Sequence, residues 1–415
     1  MKKSSVLSGA GLAAASILGA ILAGVLLMTA VYALPTARMR HNVEISLPYI
    51  LTEGDRYQWA PYHNGTELDG FTDSLMLSNA IYEGTGSPLH NALVNPRPEY
   101  TPGDMVPVDS LSRYAQKQEG FREVTYARYW HGYLLLLKPL LLFFTPSDIR
   151  LLNMMVQLIL ACVVLALCRK RGGLRLAIPM GAALLCLNPI STALCFQFTD
   201  VYLLLLTFAA GMLGLETYKK TWGWLLYLWL GILTAFFDFL TYPLAALGVL
   251  LAVEGMLTQG SPWEKIKGIL LHSFLWVLGY GAMWAGKWVC ASLLTEQNVI
   301  ADALQNALGR TGAGERMSLI RVIWQNAQNY VNPMGTLLVL LLALLSKTCR
   351  FRLSWRKAAP MLLLALYPFV WYIALRNHSM IHAYMTHRNL TVTVMAVCCA
   401  VSLCLEENKK GENNG

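Results

Sequence analysis

Residues 376 to 388, RNHSMIHAYMTHR, place two arginines and three histidines between two apolar stretches near the C-terminus. An Arg or Lys at the centre of a bilayer costs about 2.5 to 3.5 kcal/mol on insertion scales, so ionisable side chains near membrane depth usually face a polar cavity. Guanidinium groups match the oxygens of a phosphate, and we predict that Arg376 and Arg388 bind one. The alternative is that both arginines extend to lipid headgroups.

His378 and His382 are four residues apart in this segment, a spacing that places two side chains on one face of a helix. Their imidazoles could hydrogen-bond a phosphate or an acceptor hydroxyl, and Asn377 could add an amide. An interfacial pair with no ligand explains the same spacing. Two histidines alone are a weak metal signal, so the sequence assigns no metal ligands and leaves a divalent cation open.

Two aspartates lie before and within the start of an amphipathic stretch, FTDSLMLSNAIYEG, at residues 71 to 84. Deprotonation of a hydroxyl needs a base, and our candidate is Asp73, with Asp69 four residues earlier as a second catalytic carboxylate. A carboxylate pair on one helical face could raise one pKa or share a metal. The alternative for either residue is capping of the helix N-terminus. We also expect this stretch to lie flat on the bilayer.

A third polar set occupies YARYWHGY, residues 126 to 133. Arg128 or His131 could reach a phosphate, and the aromatic faces could stack on sugar rings. The alternative is an ordinary belt of Tyr and Trp at the membrane interface. Asp200 and Asp238 lie at the ends of two apolar stretches, where structural pairing or capping is at least as good an explanation as substrate contact.

Membrane helices must position these residues. Of the 415 residues, 55% are hydrophobic, and the apolar stretches are too long and too numerous for one soluble core. The net charge of +9 comes mainly from short loops between these stretches, so it indicates membrane orientation and not a nucleic-acid partner. All nine cysteines lie in or beside apolar stretches, which implies no disulfide framework. No phosphate-binding P-loop motif is present, and the sequence predicts that GRTGAGE, residues 309 to 315, is a flexible turn.

The sequence therefore predicts an all-α polytopic membrane protein with about ten transmembrane helices and juxtamembrane helices on the outer face. Ten spans place both termini inside and send every basic loop to the cytoplasm, as the positive-inside rule requires. The predicted spans are 11–33, 149–168, 174–190, 199–217, 222–237, 241–257, 267–293, 334–346, 358–375 and 389–404.

This register divides the chain unequally between the two sides of the membrane. Two outer segments, 34–148 and 294–333, are substantial, whereas the inner side has only short loops, a cytoplasmic N-terminus at 1–10 and a tail at 405–415. The first span, 11–33, is long enough to be an uncleaved anchor. Residues 133–144 are too short for a span, and we expect a re-entrant or interfacial piece there. Six helices form the bundle at 149–293, and the C-terminal helices at 334–404 contain the outer Arg and His loop.

The order of these features resembles the C-type fold of integral-membrane glycosyltransferases, over about residues 11 to 300. The resemblance rests on an acidic residue in a large first outer loop, an amphipathic helix, a Pro-containing juxtamembrane segment and a span that ends in RKRG. In that superfamily an Asp, often followed by Glu, begins a helix of the first loop. Asp73 is at that position here, with Ser74 where Glu is common.

The resemblance implies an inverting glycosyltransferase that moves a sugar from a polyprenyl-phosphate carrier to a saccharide, lipid or protein acceptor. That superfamily includes protein O-mannosyltransferases and lipid A aminoarabinose transferases. We would then expect a multi-pass protein of the bacterial cytoplasmic membrane, with the active site on the extracytoplasmic side and membrane lipids around it. Two alternatives stay open: a transporter or flippase for a lipid-linked or amphiphilic solute, and a polysaccharide polymerase or ligase.

Overall fold

The computed structural model describes residues 3–103, 105–312, 318–330, 350–351 and 354–406. Within these ranges the chain is almost entirely helical, as predicted. Short antiparallel strand pairs are the exception, and they join β1 (Arg56–Gln58) to β2 (Glu67–Asp69), β3 (Arg97–Tyr100) to β4 (Phe121–Val124), and β5 (Arg350–Phe351) to β6 (Leu405–Glu406).

The helices of the first half of the chain are α1 (Lys3–Tyr32), α2 (Ala37–Glu53), α3 (Gly70–Ile81), α4 (Pro88–Val94), α5 (Pro107–Ala115), α6 (Leu134–Leu141), α7 (Pro146–Gly172), α8 (Leu174–Cys186), α9 (Pro189–Leu194) and α10 (Phe196–Leu215). Those of the second half are α11 (Trp224–Phe237), α12 (Leu244–Leu257), α13 (Pro262–Leu294), α14 (Val299–Thr311), α15 (Leu319–Tyr330), α16 (Trp355–Ala365), α17 (Tyr367–Ala374), α18 (Arg376–Ile381), α19 (Ala383–Thr386) and α20 (Thr391–Cys404).

Local sequence signals explain where the long helices begin and end. A capping box starts α7, in which the Thr145 side chain accepts from the backbone of Asp148 and the Asp148 side chain accepts from the backbone of Thr145. Ser261 and Glu264 do the same for α13. Basic residues occupy the last turn of α7, at the end of the helix where a positive charge is favourable.

Six stretches of helix in the described part of the chain are long and apolar enough to cross a membrane. They are Ser8–Tyr32, Pro146–Gly172, Phe196–Leu215, Pro262–Leu294, Trp355–Ala374 and Ala383–Cys404. These correspond to six of the predicted spans. The protein is therefore a multi-pass, helical membrane protein.

The predicted count of about ten spans is not reached. Helices α8, α11 and α12, in the predicted spans 174–190, 222–237 and 241–257, have only 13 or 14 residues. At 1.5 Å per residue they measure about 20 Å, less than the ~30 Å of a hydrocarbon core. Most of α12 is buried inside the protein, so its apolar sequence reflects protein packing and not lipid contact. The predicted span 334–346 lies outside the described residues.

The first outer segment folds onto the membrane helices through α2 to α6 and the strand pairs β1–β2 and β3–β4. Eight of the twelve residues of helix α3 are buried against protein, so most of its surface packs within the fold. Residues 133–144 contain α6, which has eight residues and is too short to span a membrane.

Two buried lysines donate to carbonyls of this segment, one from within the segment itself and one from helix α13 of the bundle. The Lys138 Nζ donates to the Ala80 carbonyl at 2.9 Å, at the end of α3. The Lys287 Nζ, from α13, donates to the Ala92 carbonyl at 2.8 Å, near the end of α4. Both cations thus lie at helix C-termini, where carbonyl groups lack partners within the helix and the dipole favours positive charge.

Candidate functional site

A polar cavity of about 510 Å³ lies between the first outer segment and the C-terminal histidine segment. Its wall comes from α3, from residues 125–133, from the end of α14 and from α18 and α19. Distant parts of the chain therefore meet at one site. The polar and aromatic residues that line it are Arg56, Phe71, Thr72, Asn79, Arg97, Thr125, Tyr126, Tyr129, His131, Tyr133, Gln197, Phe239, Arg310, His378, His382 and Tyr384.

Three arginines give the cavity its charge, and its lining contains no carboxylate within the described ranges. Arg56 is balanced by carboxylates behind the wall, at 3.4 Å from both Glu67 and Asp69. Arg97 pairs with Glu99 at 3.2 Å.

Arg310 differs from the other two arginines. Its guanidinium donates to the Tyr129 hydroxyl, and no carboxylate in the described chain pairs with it. A guanidinium without an acidic partner on a cavity wall is suited to bind an anion.

Three histidines from two predicted sets share this cavity. His131, His378 and His382 all line it, and the rings of His378 and His382 are 4.7 Å apart. Burial lowers the pKa of His131 and of His378 to about 3, and that of His382 to about 4. At neutral pH the three imidazoles are therefore uncharged hydrogen-bonding groups, and the positive charge of the cavity belongs to the arginines.

The aromatic segment 126–133 forms one side of the wall because it docks tightly on two helices. The Trp130 indole donates to the Met283 carbonyl at 2.8 Å, and the Trp288 indole donates to the Arg128 carbonyl at 2.9 Å. Gly132 donates to the Phe236 carbonyl at 2.9 Å, and a Cβ at this glycine would lie only 2.4 Å from that oxygen. Only glycine allows this close approach of the segment to Phe236.

The two predicted catalytic carboxylates lie behind the cavity wall. Asp69 is the N-cap of α3 and accepts from the Thr72 backbone at 3.1 Å and from the Thr72 hydroxyl at 2.7 Å. It also contacts Arg56. Asp69 therefore caps the N-terminus of α3, which is the alternative that the sequence left open.

Asp73 caps a different helix. Its carboxylate accepts from the backbone of Phe196 and of Gln197, each at 3.0 Å, at the start of α10, and Arg150 lies 3.7 Å away. Burial raises the pKa of Asp73 to about 6 although Arg150 and the two backbone donors act in the opposite direction. The neighbouring residues Thr72 and Met76 line the cavity, but Asp73 does not.

The other predicted site residues surround the cavity without lining it. Arg128 pairs with Asp302 of α14 at 2.8 Å, and Asn377 donates to the Gly309 carbonyl at 2.9 Å. Arg376 is half-buried at the start of α18. Arg388 is fully buried with its Cζ 3.7 Å from the centre of the Phe198 ring, and its Nη1 donates to the Tyr384 carbonyl at 2.9 Å.

An apolar groove adjoins the cavity. Met76 and Tyr133 belong to the walls of both. The rest of the groove is mainly aliphatic, and it includes Leu136, Leu152 and Val156, which are exposed on α6 and on the spanning helix α7. The molecule therefore has a charged cavity beside an apolar groove whose outer wall is exposed.

Sequence reasoning missed the three arginines of the wall. Arg310 lies in the GRTGAGE stretch that was predicted to be a turn, but it belongs to the last turn of α14. The apolar positions Ile300, Leu304 and Leu308, four residues apart, are the signal that predicts this helix. Arg56 and Arg97 are adjacent to or within short strands, and their spacing carries no comparable signal.

The described residues contain no group of three or more His, Cys, Asp or Glu side chains that could hold a metal ion. The chain matches no family model, no curated protein and no solved structure. The interpretation of the site therefore depends on its own geometry.

Proposed function

We propose that the protein is a glycosyltransferase that uses a sugar linked to a polyprenyl phosphate. The observation that carries this proposal is the junction of an arginine-lined cavity, free of carboxylates within the described ranges, with an apolar groove. An amphiphile with an anionic head and a hydrocarbon chain has the same division into two chemistries. Polyprenyl-phosphate sugars are such amphiphiles.

The phosphate would lie near Arg310, which has hydrogen-bonding capacity left over and no acidic partner in the described chain. Arg56 and Arg97 add positive potential from the opposite elements of the wall. This charge would stabilise the phosphate as it departs from the sugar and gains negative charge. The hydrocarbon chain would pass Met76 and Tyr133 into the groove.

The sugar would lie on the aromatic side of the cavity. Tyr126, Tyr129 and Tyr133 present flat apolar faces, with hydroxyls at their edges, on one wall. Asn79 and Gln197 supply amides that can donate to and accept from sugar hydroxyls. A cavity of about 510 Å³ is large enough for a monosaccharide together with its phosphate.

The proposal includes the location of the reaction. The basic loops favour a register in which the cavity opens on the extracytoplasmic side of a bacterial cytoplasmic membrane.

The direct test is transfer of labelled sugar. Purified protein in lipid nanodiscs is incubated with a panel of radiolabelled undecaprenyl-phosphate monosaccharides and a membrane extract that supplies acceptors. We expect label to move from the lipid to another molecule for at least one sugar. Binding of undecaprenyl phosphate should exceed that of undecaprenol, which has the same chain but no phosphate, at least tenfold.

A groove variant separates the two halves of the site. Val156→Trp should fill the groove and weaken binding of undecaprenyl phosphate several-fold, whereas Leu270→Trp, at another exposed position on a spanning helix, should not. Equal binding of the phosphate and the alcohol would contradict the proposal. Movement of intact lipid-linked sugar across the bilayer without sugar transfer would favour the flippase.

A further inference from the structure

His378 is a cavity histidine whose tautomer the fold determines. Its Nε2 is 2.8 Å from the Leu240 carbonyl oxygen. A carbonyl oxygen can only accept, so the neutral imidazole must have its hydrogen on Nε2. The lone pair is then on Nδ1, for which the described residues provide no hydrogen-bond donor, and this nitrogen can accept a proton.

Neither of the other two histidines of the wall combines a fixed tautomer with a second nitrogen that has no partner in the described residues. Both nitrogens of His131 are engaged, Nδ1 with the Tyr133 hydroxyl at 3.3 Å and Nε2 with the Tyr126 carbonyl at 3.0 Å. His382 contacts the Tyr384 hydroxyl through Nδ1, and a hydroxyl can donate or accept, so no single tautomer is imposed.

The carbonyl that orients His378 belongs to an unusual turn. Leu240 has a φ of +66°, a left-handed conformation that costs a branched side chain energy. Asp238 holds the turn, because its carboxylate accepts from the Thr241 backbone at 3.0 Å and from the Thr241 hydroxyl. Leu240, Thr241 and Asp238 are all buried, so water does not replace these bonds.

We propose that His378 is the general base of the transfer reaction, and that the turn 238–241 positions it by fixing its Nε2 hydrogen. This inference rests on the proposed function and assigns the base to a residue of the cavity wall. Leu240 and Asp238 are positioning residues. Asp73, the base predicted from the sequence, then has the structural task of capping α10.

The step balances in atoms and charge. The acceptor hydroxyl gives its proton to His378 Nδ1, and its oxygen forms the new bond to the anomeric carbon. The bond from that carbon to the phosphate oxygen breaks, and its electron pair leaves on the lipid phosphate. The proton on His378 then passes to the phosphate or to water, which restores the neutral imidazole.

The charges around His378 make its basicity depend on the donor. His382 and Arg310 are the cationic or titratable groups beside it, and Asp238 lies beyond the Leu240 carbonyl. Burial lowers the pKa of His378 most, His382 and Arg310 lower it further, and the Leu240 carbonyl opposes them. A bound phosphate would raise this pKa, because a nearby negative charge favours the imidazolium.

The tautomer can be measured without activity. Solid-state NMR of the full chain in bilayers, with ¹⁵N-labelled histidine, distinguishes Nε2–H from Nδ1–H imidazoles, and His378→Gln identifies the relevant signal among the eight histidines. We expect Nε2–H for His378, and an upward shift of its titration when undecaprenyl phosphate is added. An Nδ1–H tautomer would overturn the proposal.

Kinetics test the role of the base. With the sugar donor found in the panel, His378→Gln should lower kcat at least 100-fold and change the dissociation constant of undecaprenyl phosphate less than threefold. The matched control is His41→Gln, an exposed histidine on α2, which should leave both unchanged. Asp238→Ala should lower kcat about tenfold, with partial recovery in Asp238→Asn, whose oxygen can still accept from Thr241.

The outcomes separate the two proposals. If the wild type binds the carrier and transfers sugar but His378→Gln retains near-wild-type turnover, the base assignment is wrong and the proposed function stands. Loss of turnover in Asp73→Asn together with normal turnover in His378→Gln would return the base to Asp73. No transfer by the wild type with any donor would reject the proposed function, and the base with it.

Discussion

The charged side chains of the cavity wall are partnered differently from those of helix α13. Near its start, His272 lies 2.9 Å from Glu254, which also accepts from the Tyr227 hydroxyl at 2.6 Å, and the Tyr227 and His272 rings stack. About 22 Å farther along the helix, Lys287 binds the Ala92 carbonyl and, at 2.7 Å, the Asn95 side chain. Charges in both places have partners within the protein.

The cavity beyond Lys287 lacks this balance. Arg310 has a phenol as its partner, and the lining contains no carboxylate within the described ranges. Arg310 is only partly buried and its guanidinium keeps donors that the Tyr129 hydroxyl does not use, so it is suited to bind an anion at the cavity wall. Buried charges with partners join elements of the fold here, whereas the guanidinium of Arg310, which has no acidic partner in the described chain, is where the proposed function places an anion.

The largest effect is expected where a paired charge is removed. Lys287→Ala would leave the Ala92 carbonyl and the Asn95 amide oxygen without their donor and would open a cavity. We expect a loss of about 3 to 4 kcal/mol in the free energy of unfolding, measured by thermal or denaturant unfolding in detergent. An unchanged unfolding midpoint would show that the first outer segment does not depend on this anchor.

Asp73 provides the next test, because it is a buried carboxylate with partners within the protein. Its pKa is about 6 in the folded protein and 3.8 ordinarily, so its contribution to stability is present below pH 3.8 and is lost as the pH rises through 6. Above pH 6, Asp73→Asn should therefore have a free energy of unfolding about 2 to 3 kcal/mol higher than the wild type. Unfolding midpoints of both proteins from pH 4 to 7 should converge at low pH, and parallel curves would contradict the prediction.

Removal of the unpaired charge should affect binding and not folding. Arg310→Ala should weaken the binding of undecaprenyl phosphate about 30-fold, which corresponds to the loss of about 2 kcal/mol for a hydrogen bond to a charged group. The unfolding midpoint should not change. Arg38→Ala, at an exposed arginine of α2, is the control. Destabilisation of the protein by Arg310→Ala, with unchanged affinity for undecaprenyl phosphate, would contradict this prediction.

The smallest effect is expected at the opposite end of the bundle. Glu254→Gln preserves the shape of the side chain and one acceptor but removes the charge that His272 and Tyr227 share. We expect a loss of about 1 kcal/mol in stability and no change in carrier binding or sugar transfer. A change in transfer greater than threefold would give this cluster a functional role that its satisfied contacts do not suggest.

Parts of the site were predictable from local patterns. The spacing of His378 and His382 placed them together, and both line the cavity with His131. The roles of the two carboxylates were harder to predict, because the start of a helix looks the same in the sequence whether its aspartate faces a substrate or caps a neighbouring helix. Asp73 caps α10, 123 positions farther along the chain at Phe196, and no local pattern contains that contact.

The sequence by itself determined that the protein lies in a lipid bilayer and that its main elements are helices. Long apolar stretches must be helices in a bilayer, because only a helix satisfies its own backbone there, and capping residues determine where helices such as α7 and α13 begin. Only the tertiary structure decided which polar residues meet. Cavity formation depends on contacts between elements hundreds of residues apart, such as Arg56 with Tyr384. Whether a short apolar helix faces lipid or protein depends on its neighbours, which hydropathy does not encode.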